Sequence, residues 1–184
     1  MRNRTFIVAF ILLCVIMTTL CAVDNEPSVF DISIVNGYKL GHLTEADFNA
    51  YTPSLRLQFN ITEWFGLSLE TMYRYPYDTI TKHTFTVATD MVFRLPIGIF
   101  EPYVAFGPNY LYTLDSNNVF EFINTVAYDV RVGFDFDITS WFTLGIEGKL
   151  LPENLVHLFS NLASTQSTWL LNNTYVAIIL KTKL

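Results

Sequence analysis

From residue 28 to the C-terminus the chain alternates between large apolar positions and small or polar ones. The period is two, which is the spacing of a strand with one apolar face. The alternation predicts eight strands, at about 28–38, 51–61, 65–76, 82–95, 100–113, 119–137, 141–151 and 168–184. Each is long enough to cross a hydrocarbon layer as a tilted strand. One face carries Phe30, Ile32 and Ile34, then Leu55, Leu57 and Phe59, then Phe65, Leu67, Leu69, Tyr73 and Tyr75. It continues through Phe85, Val87, Met91 and Phe93, through Val104, Phe106, Tyr110 and Tyr112, and along the sixth strand from Phe120 to Phe136. Phe142, Leu144, Ile146 and Leu150, then Val176, Ile178, Leu180 and Leu184, complete it, with no charge within any strand.

Alternation alone leaves open which face is outside, because a soluble lipocalin-type barrel alternates too. Volume decides. The interior of an eight-stranded barrel is too narrow for so many large apolar side chains, whereas the small and charged set fits it. The expected fold is therefore all-β: an eight-stranded antiparallel up-and-down barrel with its apolar face towards lipid. Connections near 62–64, 96–99 and 138–140 are short, and those at 39–50 and 152–167 are long. Short periplasmic turns and longer outer loops, with an even strand number, place both termini in the periplasm. Trp64, Phe65, Trp141 and Phe142 at one end fit an interfacial aromatic girdle. They belong to an internal repeat, Phe59-Asn60-Ile61-Thr62-Glu63-Trp64-Phe65 against Phe136-Asp137-Ile138-Thr139-Ser140-Trp141-Phe142. Two equivalent hairpins explain it, with Asn60 and Asp137 expected to bond nearby backbone at the turn.

Residues 1–22 read as a cleaved signal peptide. Arg2 and Arg4 precede an apolar run of 15 residues at 6–20, and Leu20-Cys21-Ala22 offers a cleavage site. The barrel would then occupy 23–184. Both cysteines, Cys14 and Cys21, lie in the leading segment, so the mature chain has no thiol for a disulfide or a metal. Arg2 and Arg4 leave with it, so of 11 basic and 17 acidic residues 9 and 17 remain, a net charge of −8. That argues against nucleic acid as a partner. Half the residues are hydrophobic, yet no other stretch could span a bilayer as a helix. A membrane chain of this kind must satisfy its backbone in a closed barrel.

With these features the chain resembles the small outer-membrane β-barrel superfamily of Gram-negative envelopes, the group of the OmpA barrel, OmpX and OmpW. Ile99-Phe100-Glu101-Pro102-Tyr103-Val104-Ala105-Phe106-Gly107 looks like the turn and strand start common in these barrels. The last strand, from Tyr175, looks like the C-terminal signal read by the barrel assembly machinery, although it ends in Leu184 rather than an aromatic. The resemblance implies an outer-membrane location, lipid as surroundings and the assembly machinery as a partner in biogenesis. Members include anchors, adhesins, narrow channels and lipid-modifying enzymes, so the fold leaves the activity open.

The clearest chemistry lies on the inward face. Arg56, Arg74, Arg94, Arg131, Lys149 and Lys181 face Asp31, Glu70, Asp90, Asp129, Asp135 and Glu147. A network of ion pairs closing the lumen is the expected state, since a lone buried charge is costly; a narrow ion pore is the alternative. A three-residue turn at Thr62-Glu63-Trp64 pairs Ile61 with Phe65 and sets Arg56 opposite Glu70, within reach of a two-pronged contact. Glu147, Arg131 and Asp90 lie at similar heights and are expected to join them. His42, His83 and His157 form no metal-ligand spacing, and no cofactor is implied. His157-Leu158-Phe159-Ser160-Asn161 is similar to the His-x-Ser-Asn element of lipid A deacylase barrels, but one extra residue separates His from Ser. On a strand, positions three apart face opposite sides. The expectation is a non-enzymatic barrel whose loops 39–50 and 152–167 could meet an extracellular partner. The second loop is unusually apolar, and Leu155, Val156, Leu158, Phe159 and Leu162 would share one side of a short helix.

Overall fold

The alternating segments become strands whose every neighbour is another strand, so no edge is left unpaired. A computed structural model describes residues 28–43, 50–74, 83–114, 120–152 and 167–184. The strands are β1 (Phe30–Lys39), β2 (Tyr51–Asn60), β3 (Phe65–Arg74), β4 (His83–Arg94), β5 (Phe100–Leu114), β6 (Phe120–Asp137), β7 (Phe142–Leu150) and β8 (Thr174–Lys183). They form a closed antiparallel barrel in chain order, and β8 pairs with β1 from Asp31–Lys183 to Lys39–Tyr175. Closure removes the open edges that would otherwise invite aggregation. The signal segment 1–22, Tyr75, and the loop residues 153–166 with His157 and Ser160 lie outside the described residues.

The start of the last strand differs from expectation. Residues Ser167–Asn173 form a short helix, α1, and strand pairing begins at Thr174. Period two does not in fact extend through Trp169-Leu170-Leu171, three large apolar residues in a row. Asn173 Nδ2 closes the helix on the Trp169 carbonyl at 2.9 Å.

The short turns set the register. In the β2–β3 turn the Ile61 N–H donates to the Phe65 carbonyl at 3.0 Å, and Thr62 Oγ1 accepts from the Phe65 N–H at 3.0 Å. The β6–β7 turn repeats this with Ile138, Phe142 and Thr139, also at 3.0 Å. The threonines thus cap the turns, while Asn60 Nδ2 bonds backbone as expected, at the Ser28 carbonyl 2.9 Å away. Asn60 and Asp137 sit at the strand ends on the inward face, where Asn60 Nδ2 also bonds Asp31 at 2.9 Å and Asp137 accepts from Thr143 Oγ1 at 2.6 Å. The β4–β5 turn uses Gly98 at φ 63°, the left-handed region that glycine enters without a Cβ clash.

The two faces are sharply divided. Large apolar side chains stand outside, among them Leu55, Phe59, Val104, Val132, Ile146 and Ile178, each about half exposed. Soluble monomers rarely expose an apolar belt of this extent, which marks a surface made for lipid or a partner. Inside lie the charges, with small or polar neighbours.

One place in the wall is irregular. The β4–β5 ladder passes from Ala88–Asn109 to Met91–Phe106 without pairs between. Pro108 has no N–H to give there. Gly107 lets the backbones meet: a Cβ on it would stand 1.9 Å from the Thr89 carbonyl oxygen.

Candidate functional site

The register set by the Thr62 turn places Arg56 directly opposite Glu70. Arg56 Nε and Nη2 both reach Glu70 Oε2, at 2.9 and 2.7 Å, and Nη2 also meets Glu147 Oε1 at 2.8 Å. The contact is thus two nitrogens on one oxygen rather than a fork on two. Glu70 Oε1 is occupied otherwise, by Ser54 Oγ at 2.6 Å and by Lys149 Nζ.

Arg131 enters from the far wall. Its Nη1 lies 3.2 Å from Glu70 Oε2, and its Nη2 bonds Asp90 Oδ2 at 2.6 Å and Ser68 Oγ at 2.7 Å. Glu147 Oε2 is 3.7 Å from Arg131 Nη1 and accepts from the Tyr103 hydroxyl at 2.7 Å. A planar guanidinium with five fixed donors suits bridging several carboxylates at once. Asp129 completes the cluster at 3.6 Å from Lys149 Nζ and 3.9 Å from Arg131 Nε. Seven of the sequence-predicted residues thus come together across the lumen: Arg56, Glu70, Asp90, Asp129, Arg131, Glu147 and Lys149. All are buried.

The other five stand apart, Asp31 among them with Asn60 Nδ2 at 2.9 Å. Asp135 pairs with Lys181, near the short-turn end. Arg94 lies 3.6 Å from Glu101 and donates to the Thr62 carbonyl at 3.0 Å. Arg74 ends β3 half-buried, and among the described residues it pairs with no carboxylate. It is the last residue of β3, four positions along the strand from Glu70.

Tyr103 is the residue that sequence reasoning missed. It had been noted only as part of the Pro102-Tyr103 turn pattern. It faces inward opposite Gly133, and Gly133 faces Glu147 on the next strand. The ring lies over the glycine, so close that a Cβ on Gly133 would meet it at 2.5 Å. That bare position lets the hydroxyl reach Glu147 two strands away. The available signal was parity, which puts Tyr103 on one face with Ala105 and Gly107.

Apolar residues fill other parts of the lumen. Met72, Leu151 and Tyr175 form a buried cluster at the long-loop end. Val35, Val92, Tyr103, Ala105, Ala177 and Ile179 form another across β1, β4, β5 and β8. Outside, Trp64 and Phe65 stand 6.3 Å apart and Trp141 and Phe142 5.8 Å apart, side by side with Phe93 and Phe100 at the short-turn end. Amphipathic aromatic rings at that height suit a membrane–water boundary.

This is the fold of the small bacterial outer-membrane β-barrels. The N-terminal β-barrel domain of Pseudomonas aeruginosa OprF superposes with a TM-score of 0.57 at 11% identity, covering 84% of this chain and 96% of that one. Neisserial surface protein A gives 0.48 at 9% identity over 84% and 94%, and the outer-membrane enzyme PagL gives 0.41 at 13% over 84% and 98%. No family model matches the sequence, and no curated protein matches it.

Proposed function

We propose that the protein is an integral outer-membrane barrel with a sealed lumen, structural or interaction-bearing rather than enzymatic, with both termini in the periplasm. The observation that carries this reading is the seven-residue ion-pair cluster spanning the lumen. Eight-stranded interiors are just wide enough to be filled by side chains. Here they are filled by mutually paired charges, with the Met72–Leu151–Tyr175 cluster at the long-loop end. Outer-membrane lipid surrounds the wall, the assembly machinery inserts it, and the loops 39–50 and 152–167 face any extracellular partner. The refolded barrel in a planar bilayer is expected to give no conductance steps above baseline. Discrete steps would establish the narrow channel instead. A lipid turnover assay is expected to give no activity above that of the His157→Ala variant.

Orientation is testable separately. Asn118→Cys and Ser160→Cys are expected to label on intact cells with an impermeant thiol reagent, while Glu63→Cys is not. The reverse labelling would turn the barrel over.

A further inference from the structure

One amide interrupts the apolar outer face of the wall. Asn36 lies on β1 with the outward set, between Ile34 and Tyr38, while its chain neighbours Val35 and Gly37 are buried on the inward face. Its register partners are Pro53 on β2 and Ile178 on β8, both outward and apolar. Ile34 and Ile178 are 54% and 56% exposed, so Asn36 stands within the apolar belt. It is near the upper margin, because Tyr38 and Tyr51, in register with each other, stand one pleat nearer the long-loop end. Tyrosines at the top of an apolar belt mark the level where hydrocarbon gives way to headgroups.

The amide is only partly satisfied. The Tyr51 hydroxyl donates to Asn36 Oδ1 at 2.7 Å, and among the described residues nothing accepts from Asn36 Nδ2. Turning the amide over does not remove the surplus. Nδ2 would then donate to the Tyr51 oxygen, and the Tyr51 hydroxyl would be left to donate. Either way the pair offers a free donor on the outer face. In hydrocarbon such a group is costly, because no water is there to accept from it.

We propose that the Asn36–Tyr51 pair is a docking point for lipid, donating a hydrogen bond to the ester carbonyl of an acyl chain in the leaflet at the long-loop end. The docking point rests on the reading of the wall as lipid-facing. An ester carbonyl accepts hydrogen bonds and has no donor of its own. It lies where acyl chains join their headgroups, at the level of the tyrosines. Ile34, Pro53 and Ile178 give the chain below that carbonyl an apolar surface to lie on.

The test is urea unfolding in vesicles of two phosphatidylcholines with the same chains, one ester-linked and one ether-linked, which differ in their carbonyls. Asn36→Leu and Tyr51→Phe are introduced together, because either alone would leave the other donor free. The bond between the two side chains is lost in both lipids alike and cancels in the comparison. In ester lipid the double substitution is expected to lower the folding equilibrium constant about fivefold more than in ether lipid, the weight of one hydrogen bond. Asn36→Val with Tyr51→Phe removes the same donors and serves if the first variant does not refold. An equal effect in both lipids would assign the free donor to water and overturn the proposal, as would a larger effect in ether lipid. A native chain that inserts into neither lipid would overturn the lipid-facing reading itself, and the docking point with it.

Discussion

Arg56→Leu is expected to destabilise the barrel by about 3–5 kcal/mol, the range for removing one partner of a buried ion pair. Arg56 is the cation that Glu70 and Glu147 share, at 2.7 and 2.8 Å. Without it, the buried Arg131 and Lys149 face four buried carboxylates. Glu70→Leu strips Arg56, Lys149 and Ser54 of a common acceptor and is expected to cost a similar amount. The double variant is expected to be more stable than the sum of the two losses by about 1–3 kcal/mol, the coupling typical of residues in one network. It removes one charge of each sign and leaves two well-shaped apolar groups. Urea unfolding in lipid vesicles measures the cycle, and strict additivity would show that the two side chains act independently.

Gly107→Ala is the second large effect. An added methyl would stand 1.9 Å from the Thr89 carbonyl oxygen and 2.8 Å from the Asp90 Cα, so the obstacle is the β4 backbone. Relief requires β4 and β5 to separate where Pro108 already interrupts their ladder. The expected loss is more than about 4 kcal/mol, at the exceptional end for single substitutions, or failure to refold. Gly148→Ala is the control. It faces outward with its nearest neighbour, the Val132 carbonyl, at 3.9 Å, and is expected to change stability by about 0.5 kcal/mol or less. Equal effects at both positions would show that strand propensity, not the close approach, is responsible.

The fold was legible because one signal, period-two alternation, ran through nearly the whole chain. Parity then assigned each side chain to a face, and an odd turn at Thr62-Glu63-Trp64 was enough to place Arg56 against Glu70. Parity carries no distance around the barrel. Which residues meet across the lumen depends on tilt and stagger, and strand pairing alone does not give these. Arg131 reaching Glu70 on the opposite wall is such a contact. So is Tyr103 reaching Glu147, which depends on Gly133 having no side chain. Sequence reading counted Arg74 among the inward-face charges by parity, and parity did not show that it stands at the strand end, away from the mid-barrel cluster. α1 was read as strand because Val176, Ile178 and Leu180 alternate so clearly that the pattern was extended back past Thr174. The helix has only 7 residues, too few for a period of 3.6 to assert itself.

The division of faces is tested most directly by nitroxide labels placed singly along β8 in vesicles, read by collisions with oxygen dissolved in the bilayer. Ile178 is 56% exposed and Ile179 is fully buried, although the two side chains are identical. The account predicts frequent collisions at 176, 178 and 180 and few at 175, 177 and 179. The opposite phase, or no alternation at all, would contradict a barrel that turns its apolar face to lipid and encloses its charges.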